Sequence, residues 1–156
     1  MELNPATPLH VIDGPILLRL GAAAVIGLAL GLDRELRGYP AGLRTHGILC
    51  FTCALMTISA IALHKQIGGE GNIDPLRVFE ASAAFTGIIA AGIIVTSRGR
   101  VRNLTSAAHV WLTAMIGIAC GAGQWPLVVS AAIVAIVMLT ALRLVEDRWL
   151  DPKDPR

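Results

Sequence analysis

The sequence predicts an all-α membrane protein, a bundle of five transmembrane helices with its N-terminus outside and its C-terminus in the cytoplasm. Of its 156 residues, 54% are hydrophobic and only 15% are charged, and the mean hydropathy is +0.66. An average soluble domain is about 25% charged, so this chain has too few polar residues to cover a water-soluble core. The apolar residues form continuous stretches, without the alternation that is typical of a lipid-facing β-barrel.

Five apolar segments are long enough, or nearly long enough, to cross the hydrocarbon core, which takes roughly 20 helical residues. They lie at about 15–32, 41–63, 77–97, 104–120 and 126–145. The last two come from one stretch, 103–142, that contains no Asp, Glu, Lys or Arg and is too long for a single span. Gly121, Gly123 and Pro126 divide this stretch, because glycine and proline favour turns.

Lysine and arginine residues predict the sidedness of the chain. Ten of the 13 lie in the first loop, the third loop and the C-terminal tail, and three lie at the other ends of the spans. The side that is richer in these cations faces the cytoplasm. This rule predicts an external segment at 1–14, a transmembrane domain at 15–145 and a short cytoplasmic tail at 146–156.

Small residues four apart predict close helix contacts, because helices in lipid associate through van der Waals packing rather than through exclusion from water. Three sets have this spacing: Gly27 with Gly31, Gly117 with Gly121, and Ala83 with Gly87 and Ala91. They favour either packing inside one bundle or a face that receives a second copy or a partner protein.

The most unusual segment follows the first span and carries two acids and three arginines at a membrane boundary. Asp33 and Arg37 are four residues apart and would pair if the helix continues. Arg44 lies at the start of the second span, where the helix dipole disfavours a cation. We expect Asp33 or Glu35 to lie within salt-bridge reach of Arg44 or of another arginine. The segment is either a solvated loop or part of a functional site.

Two further ionisable residues lie inside predicted spans. Glu80 is a functional candidate because of its depth, although it lies one turn from Arg77 and we expect the two to pair near the outer interface. His109 has Thr105 and Thr113 on the same helical face, which favours a neutral imidazole bonded to a neighbouring hydroxyl or carbonyl. Proton transfer by this histidine is the alternative.

The residues predict no enzyme activity, metal site or cofactor. Cys50 and Cys53 have the spacing of a redox pair or half a zinc site, but they lie in an apolar helix without a second ligand pair and are interpreted as small buried residues. The sequence lacks a Walker loop, a zinc-protease motif and a nucleophile elbow. The net charge of +2 is too small to indicate nucleic-acid binding.

The charged segment resembles the first signature of the MgtC/SapB family of bacterial membrane proteins. That signature is Gly-x-x-Arg-Glu followed by Ala-Gly-Leu-Arg-Thr-His, and the chain supplies Gly31, Arg34, Glu35, Ala41, Gly42, Leu43, Arg44, Thr45 and His46. Asp33 stands where the family usually has glutamate. The family's second signature, Asp-Pro-x-Arg, is met by Asp74, Pro75 and Arg77.

A third signature, Leu-Thr-Thr-Ala-Ala-x-x-Trp, strengthens the resemblance. It is met by Leu104, Thr105, Ala107, Ala108 and Trp111, with Ser106 in place of a threonine. Many family members also have a soluble C-terminal α/β domain, and we expect this chain to correspond to the transmembrane domain alone. The residues expected to carry function are Asp33, Arg34, Glu35, Arg37, Gly42, Arg44, Thr45, Asp74, Arg77, Thr105 and Trp111, with Glu80 and His109 as intramembrane polar candidates.

The resemblance implies a multi-pass protein of the bacterial inner membrane with a role in adaptation to low magnesium and in virulence. One function that it implies is regulation through membrane-protein partners, among them the F-type ATP synthase, and a homo-oligomer is possible on the small-residue faces. The other is transport of Mg²⁺ or another small ion. A Mg²⁺ path would need carboxylate or carbonyl oxygens spaced across the membrane.

Overall fold

The computed structural model describes residues 13–66, 74, 76–97 and 100–149, which form five α-helices and a short β-hairpin. The helices are α1 (Gly14–Leu36), α2 (Leu43–Gln66), α3 (Arg77–Ile93), α4 (Leu104–Ala122) and α5 (Trp125–Trp149). Strands β1 (Val95–Ser97) and β2 (Arg100–Arg102) pair in antiparallel fashion between α3 and α4. The predicted five-helix bundle is confirmed, whereas most of the predicted external segment and tail lies outside the described residues.

The outside of the bundle is apolar. Among the described helices, α1, α2 and α4 are long and apolar enough to cross a membrane, and the apolar part of α5 is the shorter stretch Trp125–Met138. Large side chains point outward, with Val25 66% exposed, Ile48 68% and Ile88 72%. A soluble monomer rarely carries so much contiguous apolar surface. The apolar outer faces and the three membrane-length helices therefore indicate a membrane protein.

The ends of the helices follow from local chemistry. The carboxylate of Asp13 accepts the N–H of Ile16 at 3.1 Å, and Pro15 lies in the first turn of α1, where its missing N–H costs nothing. At the end of α4, Gly123 adopts a left-handed conformation with φ 73°. Its N–H and that of Gln124 bond carbonyls of the last turn. The predicted break between the fourth and fifth spans is thereby confirmed.

The predicted third span extends too far, since α3 ends at Ile93 and residues 95–97 form β1. Ile94 is already extended, with φ −72° and ψ 123°, and the β-branched residues after it favour a strand. The side-chain amide of Asn103 donates to the carbonyl of Ile93 at 3.1 Å, which satisfies one acceptor of the final helical turn.

Two hydrogen bonds show which ends of the helices lie next to each other. The bond from Asn103 places the end of α3 beside the start of α4. The Nη1 atom of Arg19 donates to the carbonyl of Gly121 at 3.1 Å, which places the start of α1 beside the end of α4. A Cβ on Gly31 would lie 2.7 Å from the Cα of Leu43, so the end of α1 and the starts of α2 and α4 lie at the same end of the bundle.

Helix α2 packs between α1 and α4, and glycines on both neighbours allow it to approach closely. A Cβ atom on Gly27 or Gly31 would lie 2.7 Å from an atom of α2, and one on Gly121 would lie 2.5 Å from the carbonyl oxygen of Ala54. A Cβ on Gly117 would overlap α2 as well. Two of the three predicted small-residue sets therefore serve packing inside the bundle.

The small-residue set on α3 has a different environment. A Cβ on Gly87 would meet no atom within 4 Å, and Ala91 is exposed. The helix buries Ser82 and Thr86 instead, and it packs mainly against α4. Gly87 is thus not needed for a contact within the described part of the chain.

We expect Gly31→Ala to lower the stability of the detergent-solubilised protein, because the added methyl group pushes α1 away from α2. Overpacking of this kind costs roughly 1–3 kcal/mol. The matched control is Gly21→Ala on the same helix, where a Cβ meets nothing within 4 Å and alanine improves helix propensity by roughly 1 kcal/mol. Thermal unfolding measures both variants, and an equal loss of Tm in the two would contradict the packing.

Candidate functional site

Buried polar side chains gather where α1 ends and where α2 and α4 begin. Arg34 is 5% exposed, and His46 and Ser106 are fully buried. The Nη2 atom of Arg34 donates to Oγ of Ser106 at 2.5 Å, and the rings of His46 and His109 have centroids 5.7 Å apart. We call Arg34, His46, Ser106 and His109 the polar end cluster.

The length of α1 explains why Arg34 is buried. The helix continues to Leu36, four residues beyond the predicted end of the first span. Arg34 therefore stays on the face that carries the buried residues Leu30 and Gly31. It meets the first turn of α4, of which Ser106 is the third residue. The arginine is thus part of the bundle interior rather than of a solvated loop.

Three nitrogen atoms of the polar end cluster are buried without a hydrogen-bond partner among the described residues. They are Nε of Arg34, Nε2 of His46 and Nδ1 of His109. The other ring nitrogen of His46 donates to the carbonyl of Gly42 at 2.8 Å, which orients that imidazole. Buried polar atoms in proteins are nearly always hydrogen-bonded. The cluster is therefore the best candidate in the described chain for a site that binds a further group.

His109 does not form the hydrogen bond that the sequence predicts. The hydroxyl of Thr113 donates to the backbone carbonyl of His109 at 2.9 Å, and Thr105 is exposed. Hydroxyls in helices often bond the carbonyl one turn back, which removes Thr113 as a partner for the ring. The imidazole of His109 instead faces that of His46.

The two acids of the charged segment are engaged outside the polar end cluster. Asp33 accepts from Nη2 of Arg37 at 2.7 Å, as predicted for a continuing helix; such a surface pair contributes at most about 0.5 kcal/mol. Glu35 accepts the N–H of Leu43 at 3.0 Å and caps the first turn of α2. Gly42 permits this contact, since a Cβ there would overlap the Glu35 carboxylate.

The expected salt bridge forms with another arginine, since Asp33 pairs with Arg37, and Arg44 itself has no acidic partner in the described part of the chain. Arg44 is exposed at the second residue of α2, and no salt bridge to Asp33 or Glu35 forms. The first N–H groups of a helix lack acceptors within the helix, and the Glu35 carboxylate supplies one of them. Thr45, the next residue of the motif, is partly exposed.

The second motif lies at the start of α3, at the other end of the bundle. The carboxylate of Asp74 accepts the N–H of Leu76 at 2.8 Å, and its carbonyl accepts the N–H of Arg77 at 3.1 Å. Asp74 therefore forms the turn that begins α3. Arg77 and Glu80 are exposed, and their predicted ion pair is absent from the described residues. Glu80 instead lies in the first turn, where the helix dipole favours an acid.

The third motif contributes an unpredicted member to the site. Thr105 is exposed and Trp111 is 42% exposed, whereas Ser106 is the residue that contacts Arg34. Tyr39 was also missed, and its ring lies 3.7 Å from Cζ of Arg34. The proximity of a tyrosine to an arginine in the charged segment was the available signal, because aromatic faces attract guanidinium groups.

Cysteines and metal ligands do not add to this site. Cys50 and Cys53 are buried free thiols, as predicted, and Cys120 is buried as well. Among the described residues, no group of three or more His, Cys, Asp or Glu side chains could hold a metal ion.

We expect Glu35→Ala to destabilise the protein by about 1 kcal/mol, the usual cost of losing a helix cap. Glu80→Ala removes the same charge from an exposed first-turn position and should change the free energy of unfolding by less than about 0.5 kcal/mol. Chemical denaturation in mixed micelles measures the free energy of unfolding of both variants. The capping role of Glu35 would be refuted if Glu80→Ala proved the more damaging substitution.

Comparison with known proteins places the chain in a family. The family model described as "MgtC family" matches residues 20–148. No solved structure gives a significant match to the chain.

Curated relatives support the same assignment. The chain is 33% identical over 155 residues to an uncharacterized protein of Haemophilus influenzae, covering 96% of this chain and 63% of that protein. It is 38% identical over 115 residues to protein SapB of Bacillus subtilis, covering 72% of this chain and 50% of that protein. It is 30% identical over 134 residues to protein MgtC of Salmonella typhimurium, covering 86% of this chain and 55% of that protein. The chain thus spans about half to two thirds of the length of these relatives, and it belongs to the MgtC family.

Proposed function

We propose that this chain is the transmembrane part of a regulator that acts by binding other membrane proteins during adaptation to low magnesium and in virulence. The F-type ATP synthase is the candidate partner. On this proposal the chain works without catalysis, cofactor or nucleic acid, and it can form homo-oligomers in the bilayer. The relative named MgtC supports the magnesium context.

The observation that carries the proposal is the charge of the buried polar groups. The polar end cluster contains a guanidinium, two imidazoles and a hydroxyl, with Arg34 almost completely buried. Mg²⁺ prefers oxygen ligands, above all carboxylates and retained water, and a nearby buried cation repels it. Asp33 and Glu35 are the nearest acids in the sequence, and both are occupied by other donors. This arrangement favours a regulator over a cation pathway through one chain.

The sidedness of the proposed regulator follows from its cations. Ten of the 13 Lys and Arg residues lie in the first loop, the third loop and the tail, which supports a multi-pass protein of the inner membrane with those segments in the cytoplasm. The polar end cluster would then lie at the cytoplasmic end of the bundle, and the N-terminus outside.

A transporter of Mg²⁺ or another small ion is the second candidate. A relative from Escherichia coli, 32% identical over 137 residues, is named "Putative magnesium transporter YhiD". In an oligomer, exposed acids such as Glu80 could contribute oxygen ligands from several copies. The two candidates differ in what the protein does when it is alone in a membrane.

We expect liposomes that contain only the purified chain to show no Mg²⁺ entry above that of empty liposomes, because Arg34 opposes a divalent cation. A Mg²⁺-sensitive dye inside the vesicles reports entry, and an ionophore gives the positive control. When the chain is reconstituted together with purified F-type ATP synthase, we expect a lower rate of ATP-driven proton pumping.

Protein-dependent Mg²⁺ entry that saturates with concentration would favour the transporter instead. Unchanged proton pumping at a molar excess of the chain would remove the ATP synthase as the partner. The Gly21→Ala variant serves as the folded control in both assays.

A further inference from the structure

Arg34 carries a buried positive charge without a carboxylate partner among the described residues. Its Nη2 atom donates to the neutral hydroxyl of Ser106, and the ring of Tyr39 covers its plane at 3.7 Å. Asp33 is bound to Arg37, and Glu35 caps α2. Buried charges in proteins are paired because an isolated ion is costly to remove from water. The surroundings of Arg34 therefore provide contacts but no carboxylate bonded to it among the described residues.

The unpartnered atoms around this charge suit the same kind of ligand. Arg34 still has a free Nε–H. His46 is fully buried with Nε2 unpartnered, and His109 has Nδ1 unpartnered. Imidazoles donate from both nitrogens when an anion balances the added proton. Guanidinium and imidazole groups with buried, unpartnered nitrogens at one end of the bundle are donors for an oxyanion.

The start of α4 adds to the positive field. This helix has 19 residues, and no side chain caps its first turn; the residue before it, Asn103, is left-handed with φ 66°. The N-terminus of a helix carries a partial positive charge and free N–H groups, which favour a bound phosphate. Ser106, the contact of Arg34, lies in this first turn.

We propose that the polar end cluster binds a phosphate group, supplied either by the headgroup of an anionic phospholipid or by free phosphate. Arg34 holds the phosphate through its fork, and His46 and His109 donate the remaining hydrogen bonds. Tyr39 lies in the segment between α1 and α2, is 41% exposed, and turns away to admit the ligand. This site is independent of whether the chain regulates a partner or carries an ion.

The test uses the full chain, purified in a maltoside detergent that contains no phosphate. Thermal unfolding is followed while inorganic phosphate, short-chain phosphatidylglycerol or an equal ionic strength of sodium chloride is added. We expect a saturable rise in Tm with phosphate or with phosphatidylglycerol, and none with chloride. Arg34→Lys keeps the charge but loses the forked donor geometry of the guanidinium. It should raise the apparent Kd by about tenfold or more.

Two further variants keep the test decisive. His109→Phe conserves a ring and should also weaken binding about tenfold, which gives a result even if Arg34→Lys does not fold. Arg44→Gln removes an exposed arginine at the start of α2, outside the polar end cluster, and it should leave the Kd within about twofold.

The outcomes separate the sources of the ligand. Stabilisation by inorganic phosphate identifies a free anion, and stabilisation by phosphatidylglycerol alone identifies a lipid headgroup. The proposal is overturned if neither ligand stabilises the wild-type chain more than chloride does. It is equally overturned if Arg44→Gln weakens binding as much as His109→Phe, because the effect would then be general surface charge.

Discussion

The close packing of α2 against α1 and α4 is the contact on which the rest of the structure depends. In lipid, helices gain little from hiding apolar surface and must meet at van der Waals distance. Gly27 and Gly31 on one side, and Gly117 and Gly121 on the other, provide that distance. The same contacts set the relative height of the three helices, so that Arg34 meets Ser106 and His46 meets His109.

This packing divides the charged segment into two parts with different roles. Asp33, Glu35 and Arg37 face outward, where they form a surface ion pair and a helix cap. Arg34 faces inward and gives the end of the bundle a buried positive charge. The last turn of α1 thus supplies both the cap of α2, through Glu35, and the buried cation, Arg34. The proposals of a regulator and of a phosphate site both rest on that inward charge.

The helices themselves were predictable, because the bilayer imposes length and apolarity on consecutive residues. Gly123 and Pro126 marked the boundary between α4 and α5, because glycine and proline favour turns. The β-hairpin after α3 was not predicted, since an apolar run of a few β-branched residues has the same composition in a strand as at the end of a helix. Arg44 did not pair with Glu35, because the Glu35 carboxylate accepts the N–H of Leu43. Glu80 did not pair with Arg77, because both side chains are exposed to solvent.

The sequence by itself determined the class of the protein, the five helices, the small-residue faces and the segment in which function should be sought. These are properties of neighbouring residues and need only the helical repeat and the solvent. The tertiary structure decided which of three arginines is buried, which serine and histidines surround it, and which glycines are in contact. Those choices depend on the rotation and height of α1, α2 and α4 relative to one another. Such long-range geometry arises from the summed packing of all three helices, so no single stretch of sequence contains it.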